Sequence, residues 1–431
     1  MPGAASLDMM EAEEGTYMNL IKRMLLPFLL IVFLAGCGGS GKVPETAPAP
    51  SLAPGDNTGN TENIESSPLW TDKESARFMV ISDLHYTGGG ALGTSDVSGM
   101  SFSEEITDAI LQEVTDRRPD ALIMTGDNTN GGSRKDAESL AEELKKVRSA
   151  GVQIIMTTGN HDFDGMSPRE FEEIYFGLLE PMDRDSCSLS YTAAVKDIVF
   201  LAMDDGALHP GGTGEFSEET MDWISSMLDK YRDKKVIFLC HHSVLYGSRE
   251  GRGAANMVQN EDLPDLLRRG GVRLALTGHM HYQNISEEGG LWEIISAMPF
   301  SGRHLTGHLA AGPRGVVYKA VPADIASYAP ALSEKLGETE RAGEASRRGV
   351  FARILEKEKV KRPESDRVLD LILRFFGYFE EGTLSEHAPE ILSDPAYPKM
   401  IEVLWDYNYG PWMKAAVEEA EHSSVSLELT W

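Results

Sequence analysis

Cysteine is scarce, with 3 in 431 residues. That excludes a disulfide-built scaffold and a structural Cys-rich zinc site. Basic charge is short as well. Lys and Arg total 40 against 68 Asp and Glu, a formal net charge of −28. Non-specific nucleic-acid binding runs on basic patches, so a chain this acidic does not fit it. Net charge says nothing about a single buried site, where bound cations reverse the local field. No internal repeat is visible. The remaining composition, 41% hydrophobic, 8% aromatic and 25% charged, is ordinary for a globular protein. It excludes collagen, a coiled-coil rod, a polytopic membrane protein and a wholly disordered chain. The length allows two to four domains of roughly 100–200 residues, or one large α/β domain with additions. Such a chain buries a core without disulfide staples.

The N-terminal region reads as an address. Lys22 and Arg23 precede the apolar run Met24–Ala35, the right length for a signal-peptide core and too short to span a membrane. The run ends in Leu34-Ala35-Gly36-Cys37, which resembles the lipobox of bacterial lipoproteins. That resemblance implies a lipid on Cys37 and a membrane partner through that anchor. The expected location is the outer side of the cytoplasmic membrane, at the cell surface or in the periplasm. Residues 1–37 then form the signal peptide, and residues 38–70, rich in Gly, Pro, Thr, Ser and Asn, a flexible linker. Two glycine motifs are decoys. Gly36–Lys42 has P-loop spacing, but Val43 stands where Ser or Thr is needed and no helix follows. Gly88, Gly90 and Gly93 spell a dinucleotide fingerprint, but the loop stays polar and Gly-rich to Gly99.

From Arg77 the chain alternates short apolar runs with amphipathic segments. Strands are expected at Arg77–Ser82, Ala121–Thr125, Val152–Thr157, Val236–Leu239, Val272–Leu276 and Leu291–Ser296, with a hairpin from Ser188–Val195 to Ile198–Met203. Helices are expected at Ser103–Arg117, Ser133–Ala150, Ser217–Tyr231 and Asn260–Arg269. A capping box at Ser167-Pro168-Arg169-Glu170 opens another, to about Leu179. This alternation predicts an α/β core with helices outside the sheets. Beyond about Val321 strand signals vanish, and residues 322–431 read as a helical C-terminal extension packed on the core.

Five polar clusters follow five of the predicted strands. They are Asp83-Leu84-His85, Gly126-Asp127-Asn128, Gly159-Asn160-His161-Asp162, His241-His242 and Gly278-His279-Met280-His281. Open α/β sheets bind ligands outside the carboxyl ends of their strands. Six of the chain's 11 histidines lie in these clusters, a sorting that scattered core histidines would not show. Asp83 and His85 are two apart, as are His279 and His281, so each pair shares a face of an extended segment. Asp127 can bridge two ions with its two oxygens, Asn160 offers an amide oxygen, and His241 an imidazole. Seven N and O ligands with two carboxylates suit a pair of transition-metal ions and an anionic substrate.

These residues resemble the calcineurin-like metallophosphoesterase superfamily, whose pattern is DxH, GDxx, GNH[DE], a later His and GHxH, in that order. All five elements are present between Asp83 and His281. The resemblance implies a four-layer α/β/β/α sandwich of two mixed sheets over residues 71–321. It implies two ions (Mn, Fe or Zn), one held by Asp83, His85, Asp127 and His281. Asp127, Asn160, His241 and His279 would hold the other. A metal-bound hydroxide would attack phosphorus while His161 assists the leaving group, oriented by Asp162. The substrate would be a small phosphate ester, with a phosphodiester or nucleotide-like ester favoured over a monoester. A non-catalytic metal- or solute-binding lipoprotein is the alternative from another class, and it predicts missing ligands. The sequence Gly126-Asp127-Asn128-Thr129-Asn130 lacks the tyrosine of purple acid phosphatases, so no purple centre is expected. No GxSxG elbow supports a serine hydrolase.

The neighbours of the clusters read more blandly. Alternation turns Cys240 and His242 away from the metal face; His242 remains a candidate supporting or substrate contact. Asn128 reads as a loop hydrogen-bonder. Arg249, Arg252, Arg303, His304 and His308 read as surface loop, and Cys187 and Cys240 as free thiols. The acidic leader Met1–Tyr17 is unusual before a signal peptide, so translation is expected to start at Met18. N-terminal sequencing of the unprocessed precursor checks this, and a precursor starting at Met1 overturns it.

Overall fold

The structure, a computed structural model, describes residues 64–88, 100–245, 256–300 and 302–431, apart from Asn408, Glu419 and Glu421. The proposed signal peptide with Cys37, most of the linker, the Gly-rich loop beyond Gly88, and Arg249 and Arg252 lie outside the described residues. Among those residues, thirteen strands form two sheets. The first contains β1 (Ala76–Ile81), β2 (Ala121–Thr125), β3 (Gln153–Thr157), β11 (Leu305–Gly312), β12 (Gly315–Pro322) and β13 (Ser426–Thr430). Its order is β13-β12-β11-β1-β2-β3. The second contains β4 (Asp183–Arg184), β5 (Tyr191–Val195), β6 (Ile198–Ala202), β7 (Lys235–Leu239), β8 (Leu274–Thr277), β9 (Asn284–Glu288) and β10 (Leu291–Ile295). Its order is β4-β5-β6-β7-β8-β10-β9. Each sheet has a parallel run, β1-β2-β3 at one edge of the first and β6-β7-β8-β10 within the second, and the remaining strands pair antiparallel.

The period of two explains the layering. On β6, Ile198, Phe200 and Ala202 face the first sheet, where Phe200 meets Phe78 edge to face with ring centres 5.2 Å apart. The alternate residues Val199 and Leu201 face outward and pack with Ile224, Leu228, Leu263 and Leu267 of the helices Glu218–Lys230 and Leu263–Arg269. Each fully buried side chain of this size contributes about 1.5–3 kcal/mol of transfer free energy. The helices Ser103–Arg117 and Arg134–Ser149 pack on the far side of the first sheet. The result is helices, sheet, sheet, helices: the expected four-layer sandwich with mixed sheets. The capping box forms as expected, with Ser167 Oγ accepting from Glu170 N and Glu170 accepting from Ser167 N. Its helix stops at Tyr175.

The core does not end at Leu291–Ser296. Strands β9, β11, β12 and β13 were not expected from the sequence, and His308 lies in β11 opposite Met79, not in a surface loop. The run Leu305–Gly312 is rich in glycine and alanine, which carry weak strand signals. The extension is helical from Ile325 to Glu418, then returns to the first sheet as β13. Its longest helix, Pro330–Lys357, joins two cores. Leu332 and Leu336 belong to the main one, while Phe351 and Leu355 pack with Phe375, Phe376, Trp412 and their neighbours in a second. Cys187 is exposed and Cys240 buried, both free thiols. Among the described residues no helix is long and apolar enough to cross a membrane.

His308 gives the fold a pH dependence remote from the strand-end clusters. Its ring stacks on Trp70 at 6.1 Å, and burial, assisted by the charge of Arg117, pushes its pKa from 6.5 down to about 4. The unfolded chain therefore takes up a proton near pH 6.5 that the folded protein refuses until about pH 4. Stability is full above that window and falls as pH drops through it, by about 3 kcal/mol at most. Urea denaturation at pH 7.5 and 4.5 should show a smaller acid loss in His308→Phe than in the native chain. Equal losses would overturn the assignment.

Candidate metal centre

The five clusters meet at the carboxyl ends of β1, β2, β3, β7 and β8. The first two loops extend the parallel pairing of their strands: Asp83 N donates to Gly126 O (3.1 Å), His85 N to Asp127 O (2.9 Å) and Tyr86 N to Asn128 O (3.0 Å). Side chains do not share a face here by simple strand alternation, which corrects the sequence expectation. Asp83, His85, Asp127, His279 and His281 all have left-handed backbones, with φ of 52°, 38°, 47°, 65° and 59°. Among the described residues, five of the nine non-glycine residues with positive φ are thus candidate ligands. Each such conformation costs on the order of 1 kcal/mol and persists only where its surroundings over-determine it. Motif glycines permit the close approach. A Cβ on Gly126 (φ 89°) would lie 2.6 Å from His241 Nδ1, and one on Gly278 would collide with Ser82 Oγ.

Two groups of ligand-type atoms result, each with all its atoms within 4.8 Å of one another. One comprises Asp83, His85, Asp127 and His281; the other Asp127, His241 and His279. In the first, His281 Nε2 lies 3.4 Å from Asp83 Oδ1 and 3.0 Å from His85 Nε2. In the second, His241 Nε2 lies 3.2 Å from both Asp127 Oδ2 and His279 Nδ1. Asn160 sits between Gly159 and His161 in the third loop, and its Oδ1 is buried without a hydrogen-bond partner. Asp127 Oδ2 is likewise buried, faced by imidazoles of both groups. Buried acceptors left unmade cost about 1–3 kcal/mol each, more when charged. Two buried carboxylates, one amide oxygen without a donor and converging imidazoles therefore fit a pair of cations.

The protonation pattern agrees. Burial, with the charge of His281, pushes His85 down to about 3 against the pull of Asp127. Burial and the neighbouring His242 and His241 lower His279 as well. Both rings are neutral at pH 7, with a lone pair free for a cation. His241 behaves oppositely. Burial disfavours its proton, but the charge and hydrogen bond of Asp127 outweigh this and push it up to about 10. Its Nδ1 faces the carbonyl of Thr125 at 2.9 Å, which requires the proton there and turns Nε2 toward Asp127.

His161 lies beside these groups, its ring 5.2 Å from that of His85 and its backbone N–H donating to Asp127 Oδ1 (2.9 Å). The carboxylate that orients it is Asp164, 2.8 Å from Nδ1, and not Asp162 as the sequence reading has it. Residues His161–Phe163 form a 3-10 turn, which brings residues three apart onto one side and swings Asp162 inward. Asp162 is fully buried and accepts from Gly159 N, Asn128 N and Nδ2, and Thr129 N and Oγ1, at 2.8–3.3 Å. It braces the second cluster loop against the third. Burial and the charge of Asp127 push its carboxyl up to about 6. Burial again opposes the proton of His161, but Asp127 and Asp164 together raise its pKa.

The remaining supports escape simple pattern reading. His242 is buried 4.1 Å from the His279 ring, with Nδ1 facing Asp205 (3.1 Å) and Nε2 facing the carbonyl of Gly212 (3.1 Å). Asp205 also accepts from the backbone N–H groups of His241 and His242, fixing both. Glu293 accepts from Ser243 Oγ, Val244 N, Leu245 N and Thr277 Oγ1 and ties together the loops after β7 and β8. Two signals mark these residues: an acidic pair, Asp204-Asp205, just past a strand end, and a lone Glu inside the apolar run Leu291–Ile295. Asn128 hydrogen-bonds Thr157 O, as expected of a loop residue. His304 is engaged by Pro299 O and Glu340.

Residues 76–283 match the family model for calcineurin-like phosphoesterases. The chain is 29% identical over 204 residues to a probable glycerophosphodiester phosphodiesterase of Arcobacter nitrofigilis, covering 47% of this chain and 70% of that protein. It is 27% identical over 218 residues to a probable cyclic nucleotide phosphodiesterase of Rhodococcus erythropolis, covering 50% and 68%. A dimetal phosphatase from Danio rerio superposes with a TM-score of 0.46 and 16% identity, over 57% of this chain and 95% of that one.

The two aspartates near His161 should separate cleanly on mutation. Asp162→Ala strands five buried donors and should cost roughly 3–5 kcal/mol in urea denaturation. Asp164→Ala, at a half-exposed pair, should cost less than about 1 kcal/mol. Equal losses would show that Asp162 is not the brace.

Proposed function

We propose that this chain, whose residues 76–283 match the calcineurin-like phosphoesterase family model, is a metal-dependent phosphoester hydrolase that cleaves phosphodiesters at a two-ion centre. Asp83, His85, Asp127 and His281 would hold one ion, and Asp127, Asn160, His241 and His279 the other. The observation that carries this reading is the shared position of Asp127, which belongs to both groups and whose buried Oδ2 lies 3.7 Å from His85 Nε2 and 3.2 Å from His241 Nε2. When bound, the ions would supply positive charge for the phosphate and lower the pKa of water.

The chain's own residues then divide the remaining work. His161 carries a proton on Nδ1 toward Asp164, which leaves Nε2 to meet the departing oxygen. Its raised pKa keeps it protonated closer to neutrality, as a general acid for an alkoxide requires. Asp162, Asp205 and Glu293 hold the loops in place and touch no reacting atom. The preference for diesters rests on the two relatives, both named as phosphodiesterases. A monoesterase on the same centre is the second reading. We further propose that Cys37 carries a lipid and holds the enzyme outside the cytoplasmic membrane. Fatty-acid labelling that survives Cys37→Ser would overturn that.

The purified protein, stripped of metal and reloaded with Mn, Zn or Fe, should hydrolyse bis(p-nitrophenyl) phosphate faster than p-nitrophenyl phosphate. Asp127→Ala should abolish turnover. His161→Ala should lower kcat by about 10²–10⁴ on an alkyl diester, and by less on the nitrophenyl ester, whose leaving group needs no proton. A faster monoester reaction would select the second reading. No metal-dependent turnover of either ester would sink the proposal.

A further inference from the structure

The helical extension is an excursion from the first sheet. It leaves after β12 and re-enters as β13, so both its ends are pinned in the sheet that carries β1 and β2. It touches the catalytic part at several places, with Leu332 and Leu336 in the main core, Glu340 at His304 and His422 at Trp292, and one set of contacts lies just beyond His281. The ring of Phe379 packs on that of Tyr282 with centres 4.6 Å apart. At Gly382, where φ is 67°, an added Cβ would lie 3.6 Å from Gln283 Cγ. Ser424 Oγ lies 3.3 Å from Asn284 Oδ1. Tyr282, Gln283 and Asn284 are the three residues that follow His281. From the other side, Tyr318 OH of β12 donates to Gln283 Oε1 (3.2 Å).

His281 needs such support. It has a left-handed backbone, and its side chain is 25% exposed, whereas that of Asp83 is fully buried. The N-terminal side of its turn is anchored within the core, where His279 N donates to Asp83 and Gly278 N to His241 O. The C-terminal side is anchored by the excursion. Phe379 is itself held by Phe375 (5.9 Å) and Trp412 (5.0 Å), so a continuous chain of rings runs from the second core to the residue after His281.

We infer that the helical excursion is a positioning element for His281. Through the Phe379–Tyr282 contact it sets the affinity of one ion position, that of Asp83, His85, Asp127 and His281, and leaves the other largely untouched. This rests on the two-ion reading above. Phe379 and Tyr282 act through His281 and are positioning residues.

The test uses the full chain and metal alone. Mn(II) is titrated calorimetrically into the stripped native protein, Phe379→Ala, Tyr282→Ala, the double variant and Tyr282→Phe, with the coupled two-ion paramagnetic resonance signal as second readout. Two ions are expected in the native protein. In each alanine variant one dissociation constant should weaken by about 10–100-fold, with the other within about twofold and the coupled signal lost at limiting metal. The double variant should be no worse than the worse single one. Tyr282→Phe, which keeps the ring, should bind as the native chain does. If Phe379→Ala misfolds, Tyr282→Ala removes the same contact from the catalytic side. Native binding of two ions with unchanged constants in folded Tyr282→Ala overturns the inference alone, as does equal weakening of both constants. Fewer than two ions in the native protein overturns the two-ion reading as well.

Discussion

Asp127 is the constraint around which the site is organised. One carboxylate, fully buried, faces imidazoles from two different sheets: His85 at 3.7 Å on one side and His241 at 3.2 Å on the other. An isolated buried charge of this kind is strongly unfavourable, so it must be balanced. In the proposed working enzyme cations balance it. The need for balance explains why the neighbouring loops are so thoroughly hydrogen-bonded. Asp162, Asp205 and Glu293 accept from backbone, hydroxyl and amide donors, and Asp205 also faces the His242 ring. Each removes freedom from a segment that carries or adjoins a candidate ligand.

Backbone strain is the second price of the arrangement. Left-handed conformations at Asp83, His85, Asp127, His279 and His281 point side chains from parallel strands into one small volume, which regular strand ends do not do. Such conformations survive because neighbouring loops are laddered to each other, as Asp83 to Gly126 and His85 to Asp127. The turn at His281 is held by Asp83, His241 and Tyr318 within the sandwich and is also contacted from outside it, at Tyr282. That gives the helical excursion a physical connection to the chemistry without requiring any of its residues to reach the substrate.

Much of the site was legible before folding. Six histidines sorted to strand ends, and the spacing of the Asp, Asn and His residues around them, pointed to a ligand set. The apolar runs located β1, β2, β3, β7, β8 and β10 because a strand buried on both faces reads as a continuous hydrophobic segment. Strand β11 was hidden by its small residues. Strand β13 did alternate, with Leu427 and Leu429 buried, but five residues after a long helical region carry little weight. Adjacency in sequence points to Asp162 as the orienting partner of His161. A 3-10 turn reverses that relation and brings Asp164 to the ring.

Residue chemistry and spacing by themselves determined that this chain builds an α/β core with carboxylates and imidazoles at its strand ends, since hydrophobic periodicity and donor type are local properties. Which carboxylate orients which ring, which residues hold left-handed turns, and that the C-terminal helices brace the turn at His281 were decided only by tertiary structure. Those relations depend on distances between segments up to 196 residues apart, such as Asp83 and His279. Packing and charge balance set those distances, and no local pattern encodes them.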